Sequence, residues 1–338
     1  MKQISSGKEE MSKMSLDMRD KKILAELDLN ARKPVSEIAK NIRMSKQAVE
    51  YRINRLLERG IIKNFYTIIN IQKLGCNIYR IGLKFQNISL EKENEIIENL
   101  KKHKSVGGIF ILNGEWDLAL SVYAKDIVKF EKTMKDLLYK YSNFITEKSV
   151  SIVTELYYFG DRYVYEKNRE RALKESEYIS VGGEMKEEKI DEQDIKILKM
   201  LSLNARVSLV EISDKLNVSP KTINYRIKNM IQKGIMGGFK TNIDSSVLGY
   251  EHYKIFLYLQ NISDKREKDL FGYIRDHLNI IYYTKAVGIA DLEFEMKAKN
   301  IMEFYESMNS LRQKFPDIIK GYEQIIIMKE QLINSLPF

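Results

Sequence analysis

The sequence predicts an α+β chain made of two tandem copies of one unit, each a three-helix module followed by a small sheet with helices on one face. Three observations predict it. The chain repeats itself at a constant offset of 174 residues. Within each repeat, apolar residues recur first at helical spacing and then in alternation interrupted by two amphipathic helices. The 338 residues exceed what one ordinary domain needs, and a composition 44% hydrophobic and 30% charged can bury cores.

The repeat is read directly. Asn30-Ala31-Arg32 recurs as Asn204-Ala205-Arg206, and Tyr51-Arg52-Ile53 as Tyr225-Arg226-Ile227. Gly60-Ile61 recurs as Gly234-Ile235, Leu74-Gly75 as Leu248-Gly249, and Gln86-Asn87-Ile88-Ser89 as Gln260-Asn261-Ile262-Ser263. Roughly two-fifths of positions agree over the first half of the unit, fewer beyond, and no insertion is needed. Duplication explains this, and a period the size of a whole protein excludes a short-repeat solenoid. The expected organisation is a helical module over 16–70, a sandwich over 75–160, a charged linker over 161–189, a second module over 190–244 and a second sandwich over 249–335.

In the first module, Ile23, Leu24 and Leu27 form the inner stripe of a helix opened by Asp17, with Asp20 placed to return a capping bond. Asp191 and Asp194 repeat the pattern. A short second helix covers 36–42, or 209–216 in copy two, and a tight turn follows at Arg43-Met44 or Asn217-Val218. Ser45 and Ser219 are N-caps for a third helix, with Pro220 at its first position. The inner stripes are Val49, Ile53, Leu56 and Leu57, and Ile223, Ile227, Met230 and Ile231. Gly60 and Gly234 end these helices, and 65–70 and 239–244 read as wing strands. Two short helices around a tight turn, closed by a strand, make a winged helix-turn-helix, the shape that docks on double-stranded DNA.

The third helix then exposes Lys46, Gln47, Glu50, Tyr51, Asn54 and Arg55 in copy one, and Lys221, Thr222, Asn224, Tyr225 and Lys228 in copy two. Gln47 and Asn224 suit adenine and Lys221 suits guanine. Arg52, Arg55, Arg59, Arg226, Lys228 and Lys233 suit phosphates, which fix position and not sequence. The net charge of +9 agrees with a polyanionic partner.

The second half of each unit runs strand (78–85), helix (90–103), two strands (106–112, 116–122) about a turn at Asn113-Gly114-Glu115, helix (127–139) and a long strand (145–158). Copy two repeats the order from 253–259 to 319–329. This β-α-β-β-α-β order is a ferredoxin-like sandwich. Its uncovered face is partly apolar, so it should pack on another sheet. The linker reads as a solvated connector with a charged helix over 166–178 broken by Gly182-Gly183.

Some chemistries are excluded. One cysteine, Cys76, permits no internal disulfide or cysteine-rich zinc site, and three scattered histidines, His103, His252 and His277, make no metal cluster. No cofactor, metal or catalytic residue is expected, since phosphate loops, nucleophile elbows and zinc-protease motifs are missing from the sequence. No apolar run reaches the roughly 18 residues a membrane span needs. The polar stretch 1–15 lacks a secretory core, so a cytoplasmic location is expected.

The segments LDMRDKKILAELDLNAR, SEIAKNIRMSKQAVEYRINRLLERGII and LNGEWDLALSVYAKD resemble the leucine-responsive regulatory protein and asparagine-regulator (Lrp/AsnC) family. IDEQDIKILKMLSLNAR, SPKTINYRIKNMIQKGI and VGIADLEFEMKAKN resemble it in copy two. The resemblance implies a transcriptional regulator whose sandwich domain mediates pairing and often senses an amino acid. Family members are usually single units that dimerise through their sheets, so this chain resembles a covalent pseudo-dimer, open to further self-association through the sandwich sheets. The family's effector site implies contact at Asn113, Gly114, Glu115 and Asp117, and at Gly288, Ile289, Ala290 and Asp291. Two alternatives share the architecture: a sirohaem-decarboxylase-like enzyme, and an architectural DNA-binding protein without gene-specific regulation. The enzyme pattern carries arginines after the wing glycine and a histidine in the sandwich strands. Here Gly60 is followed by Ile61-Ile62-Lys63-Asn64, and no histidine stands in Gly107-Gly108-Ile109-Phe110 or Trp116-Asp117-Leu118.

Overall fold

The computed structural model describes residues 15–165, 177–183, 186–333 and 336. Copy one opens with α1 (Met18–Leu29), α2 (Val35–Ile42) and α3 (Lys46–Glu58), and copy two with α7 (Glu192–Leu203), α8 (Leu209–Leu216) and α9 (Pro220–Gln232). Their inner stripes share one core, in which Ile23, Leu24, Leu27, Ile197, Leu198 and Leu201 are wholly buried. The stripe of the third helix is narrower than its periodicity suggests: Leu57 is half-buried and Ile231 is exposed. Ser45 and Ser219 cap α3 and α9, and Arg43 and Asn217 take the left-handed conformation that turns the chain between the two last helices.

The wing strands also join the two modules. β1 (Ile62–Ile69) and β7 (Met236–Ile243) pair antiparallel with each other, from Ile62 opposite Ile243 to Ile69 opposite Met236. Ile62, Phe65 and Ile69 of β1 and Met236, Phe239 and Ile243 of β7 are buried in the shared core, and pairing the strands brings both sets into it. The joint is reciprocal. Arg32 donates to the carbonyls of Ala205 and Val207, and Arg206 donates to those of Ala31 and Lys33. Each guanidinium also lies over a phenylalanine of the opposite strand, Phe239 or Phe65.

The sandwich of copy one contains β2 (Asn77–Phe85), α4 (Leu90–Lys101), β3 (Val106–Asn113), β4 (Leu118–Ala124), α5 (Ile127–Leu138) and β5 (Ile145–Tyr158). Copy two contains β8 (Glu251–Leu259), α10 (Asp264–Asp276), β9 (Ile280–Val287), β10 (Leu292–Ala298), α11 (Ile301–Lys314) and β11 (Ile319–Ile333). Both have the ferredoxin-like order, and their outer faces form separate helix-covered cores. The two sheets then join edge to edge. β5 pairs with β2 through its first half and with β9 through its second, while β11 passes from β8 to β3. The result is one antiparallel sheet in the order β2-β4-β3-β11-β8-β10-β9-β5, closed by the β2–β5 pairing. The expected second sheet is therefore the other half of the same chain.

The linker is more than a solvated connector. The expected helix lies mostly in 166–176, outside the described residues. On either side of it the chain is built into the fold. Arg162, on the short helix α6 (Arg162–Tyr165), is only 2% exposed and donates to the carbonyls of Arg275 (2.6 Å) and His277 (3.1 Å). Tyr165 donates to Asp28 of α1, and β6 (Ile179–Gly182) pairs with β5. Apolar Phe159, Tyr163 and Val181 inside an otherwise charged stretch account for the difference, because burying them draws the backbone inward.

Candidate nucleic-acid interface

α3 and α9 present their exposed faces at equivalent places in the two modules. Ser45, Lys46, Gln47, Glu50, Tyr51 and Asn54 are all exposed on the first. Ser219, Lys221, Thr222, Asn224, Tyr225 and Lys228 are exposed on the second. Tyr51 is 67% and Tyr225 70% exposed, although an aromatic ring gains by burial. Ser45 and Ser219 spend their hydroxyls on capping the backbone at Ala48 and Thr222.

The arginines behave differently. Arg52 donates to both Asp17 (2.7 Å) and Asp20 (2.6 Å), and Arg55 reaches the other Asp20 oxygen at 2.9 Å. Arg226 bonds Asp191 and Asp194 in the same way. Arg59 reaches the Ser15 carbonyl at 3.5 Å, and Lys233 the carbonyl of Lys189. These pairs tie the start of the first helix to the third. A further difference follows from one substitution between the copies. Arg55 has Asn229 as its counterpart, so the second oxygen of Asp194 is released to accept the Asp191 amide and complete a capping box. Asp20 holds two arginines instead, and α1 has no such box. Arg52 and Arg226 are thus engaged within the module, with side chains 16% and 23% exposed. Arg52→Ala is expected to lower stability by about 2 kcal/mol, because Asp20 loses a charged partner while 1% exposed. It should leave the salt dependence of DNA binding nearly unchanged. A slope reduced by a full counterion with an unaltered unfolding midpoint would reject this placement.

The sandwich turns also acquire structural roles. Asp117 accepts the Phe85 amide (2.7 Å) and the Lys84 ammonium (3.0 Å), and Asp291 accepts the Leu259 amide (2.7 Å). A side chain on Gly114 would press on Ile325, and one on Gly288 would lie 2.5 Å from the Val150 carbonyl oxygen. The close approach of the opposite sheet requires both glycines. Asn113 and Glu115 are exposed, whereas Ile289 and Ala290 turn toward the space between the sheets.

Sequence reasoning recorded Asn30-Ala31-Arg32 and Asn204-Ala205-Arg206 only as repeat matches, and missed that each arginine bridges the modules. The signal was present: a long basic residue three positions after a helix end, kept in both copies. The histidines are accounted for locally. His103 accepts from the Ser105 amide, His277 from the Asn279 amide, and His252 pairs with Glu295 inside the closed sheet. Among the described residues, no group of three or more His, Cys, Asp or Glu is placed to hold a metal, and no helix is long and apolar enough to cross a membrane.

Paired helix-turn-helix modules, joined at a pseudo-two-fold by their own strands, define a two-headed winged helix-turn-helix protein. A family model for winged helix-turn-helix DNA-binding matches twice, over 16–63 and 190–235. The HTH-type transcriptional regulator LrpA of Pyrococcus horikoshii is 34% identical over 111 residues, covering 33% of this chain and 77% of that protein. Regulator Ptr1 of Methanocaldococcus jannaschii is 34% identical over 129 residues, covering 38% and 85%. The chain belongs to the Lrp/AsnC family of HTH-type transcriptional regulators, and it carries the family unit twice. The siroheme decarboxylase NirDL has a similar fold, with a TM-score of 0.60 over 95% of this chain and 94% of that one at 12% identity.

Proposed function

We propose that the chain is a sequence-selective regulator that sets α3 and α9 into two major grooves of one duplex, about one helical turn or a multiple of it apart. The observation that carries this is the pseudo-two-fold joint of β1, β7, Arg32 and Arg206, which presents both helices together. A homodimer reads a palindrome. Here Lys46, Gln47 and Glu50 stand opposite Pro220, Lys221 and Asn224, so two unlike half-sites are expected. Gln47 and Asn224 read bases, and Lys46, Lys221 and Lys228 supply charge. An amino-acid-like effector at the sandwich turns would meet Asn113 and Glu115 first.

Selection of bound duplexes from a random pool tests this. An asymmetric pair of half-sites is expected. Gln47→Ala and Asn224→Ala should each relax one half-site only, by about 1–3 kcal/mol. Lys46→Ala, Lys221→Ala and Lys228→Ala should each lower the salt slope by about 0.9. A palindromic site, or enrichment of no sequence, would reject the reading.

A further inference from the structure

The closed sheet encloses a cavity of about 80 Å³, counted as space open to the centre of a water molecule. One water needs about 10–15 Å³ on that measure, so the space takes roughly six water-sized groups. Much of its wall is apolar, formed by Phe110, Trp116, Phe256, Ile289, Ile325 and Ile327. Arg80, Lys254 and Glu293 supply charged groups to it, Ser149 and Ser151 supply hydroxyls, and the Ser149 hydroxyl and the Trp116 ring meet over Gly82.

The cavity is a consequence of unequal copies. Copy one contributes Gly82, Ala119, Ser121, Ser149 and Ser151 where copy two has Phe256, Glu293, Glu295, Glu323 and Ile325. One half supplies the room and the other supplies the bulk. The Trp116 ring lies against Gly82, where a Cβ would come within 2.7 Å of it. The charged groups are already ion-paired. Glu293 binds Arg80 and Lys254 at 2.6 Å each, and Glu295 binds His252 at 3.0 Å. The Ser149 and Ser151 hydroxyls are sealed from solvent with no hydrogen-bond partner in the protein, and Ser151 is 1% exposed. A buried hydroxyl without a partner costs free energy.

We infer that this cavity is a binding site for a small, mostly aliphatic molecule with one uncharged hydrogen-bonding head. The apolar wall takes the body and the two serine hydroxyls take the head. A charged head would add an uncompensated ion to a set of paired charges, which the low-dielectric interior opposes. The site lies inward of the sandwich turns and is independent of the DNA-binding reading.

Trp116 is the only tryptophan of the chain and lines the cavity, so its fluorescence reports occupancy. The full chain is titrated with isobutyramide, isobutanol and isobutyrate, with DNA binding measured on the same samples. A saturable change with isobutyramide and isobutanol is expected, and none with isobutyrate. Ser151→Ala should weaken isobutyramide binding roughly fivefold, as loss of one hydrogen bond does. Ala119→Leu should fill the space and abolish the response, with its thermal unfolding checked in parallel. No saturable change in a chain that still binds DNA would overturn the site while leaving the DNA-binding reading intact. A response equal in wild type and folded Ala119→Leu, or strongest with isobutyrate, would also overturn it.

Discussion

Glu293→Ala is expected to destabilise the full chain by about 3–5 kcal/mol in urea unfolding at neutral pH. Glu293 is 1% exposed, and one of its oxygens receives both Arg80 of β2 and Lys254 of β8. Arg80 comes from copy one and Glu293 from copy two, so the interaction crosses between the two sheets. Removing the carboxylate leaves two cations facing each other between them. Burial pushes the Glu293 carboxyl up, but Lys254 and Arg80 more than offset this and hold it below its usual value. Burial likewise raises Glu295, and His252, Lys254 and Arg80 bring it down well below the carboxylate range. A depressed carboxyl contributes stability that is present above its unfolded pKa, roughly 4.3, and is lost as pH falls through the folded value. Burial also lowers the pKa of His252, so the unfolded chain takes up a proton there first as pH falls below about 6.5. The contribution of these three groups should therefore decline on acidification, beginning near that pH and steepening below about 4.3, while buried Asp161, raised to about 7, contributes in the opposite sense. A loss under about 1 kcal/mol for Glu293→Ala would mean that water screens the pair, as at a surface.

These residues also show where sequence reading stops. Glu293 and Glu295 alternate with Leu292, Phe294 and Met296, a pattern that locally means one buried and one solvated face. The partly apolar uncovered face signalled a second sheet, but its identity depends on pairings such as Val153 with Ala286, far apart in sequence. By contrast, capping at Asp17, Ser45, Asp191 and Ser219 is decided within four residues and was legible, except that Asp20 is held by Arg52 and Arg55 and does not return the expected capping bond. So was the third helix, apart from the edge of its stripe at Leu57 and Ile231. Arg52 and Arg226 lie between these cases. Their spacing from Asp17 and Asp20, and from Asp191 and Asp194, is the same in both copies, which marks a constraint within the module. Basic residues on a DNA-facing helix nevertheless invite the phosphate reading. Only the packing of α1 against α3 separates the two.

Combining Arg32→Ala with Arg206→Ala is expected to cost about a hundredfold in affinity for a full two-half-site duplex, with little change for a single half-site. Neither residue lies on α3 or α9. Each donates to two carbonyls of the opposite module, and a hydrogen bond to a charged group contributes about 1.5–3 kcal/mol. Burial lowers the pKa of Arg32, and the nearby charge of Arg206 adds to the effect. The two like charges are tolerated because each is held by carbonyl oxygens and a phenylalanine face. Two linked modules gain roughly 10²–10⁴ over one only while their geometry lets both engage together. Loosening the joint spends that gain without touching a base contact. Band-shift titrations on full and half-site duplexes separate the outcomes. Equal losses on both would place the arginines in the folding of each module, and no loss on either would show that β1 and β7 alone hold the heads in register. A loss confined to the full duplex identifies the repeated Asn-Ala-Arg triplet as the element that converts two duplicated modules into one reader.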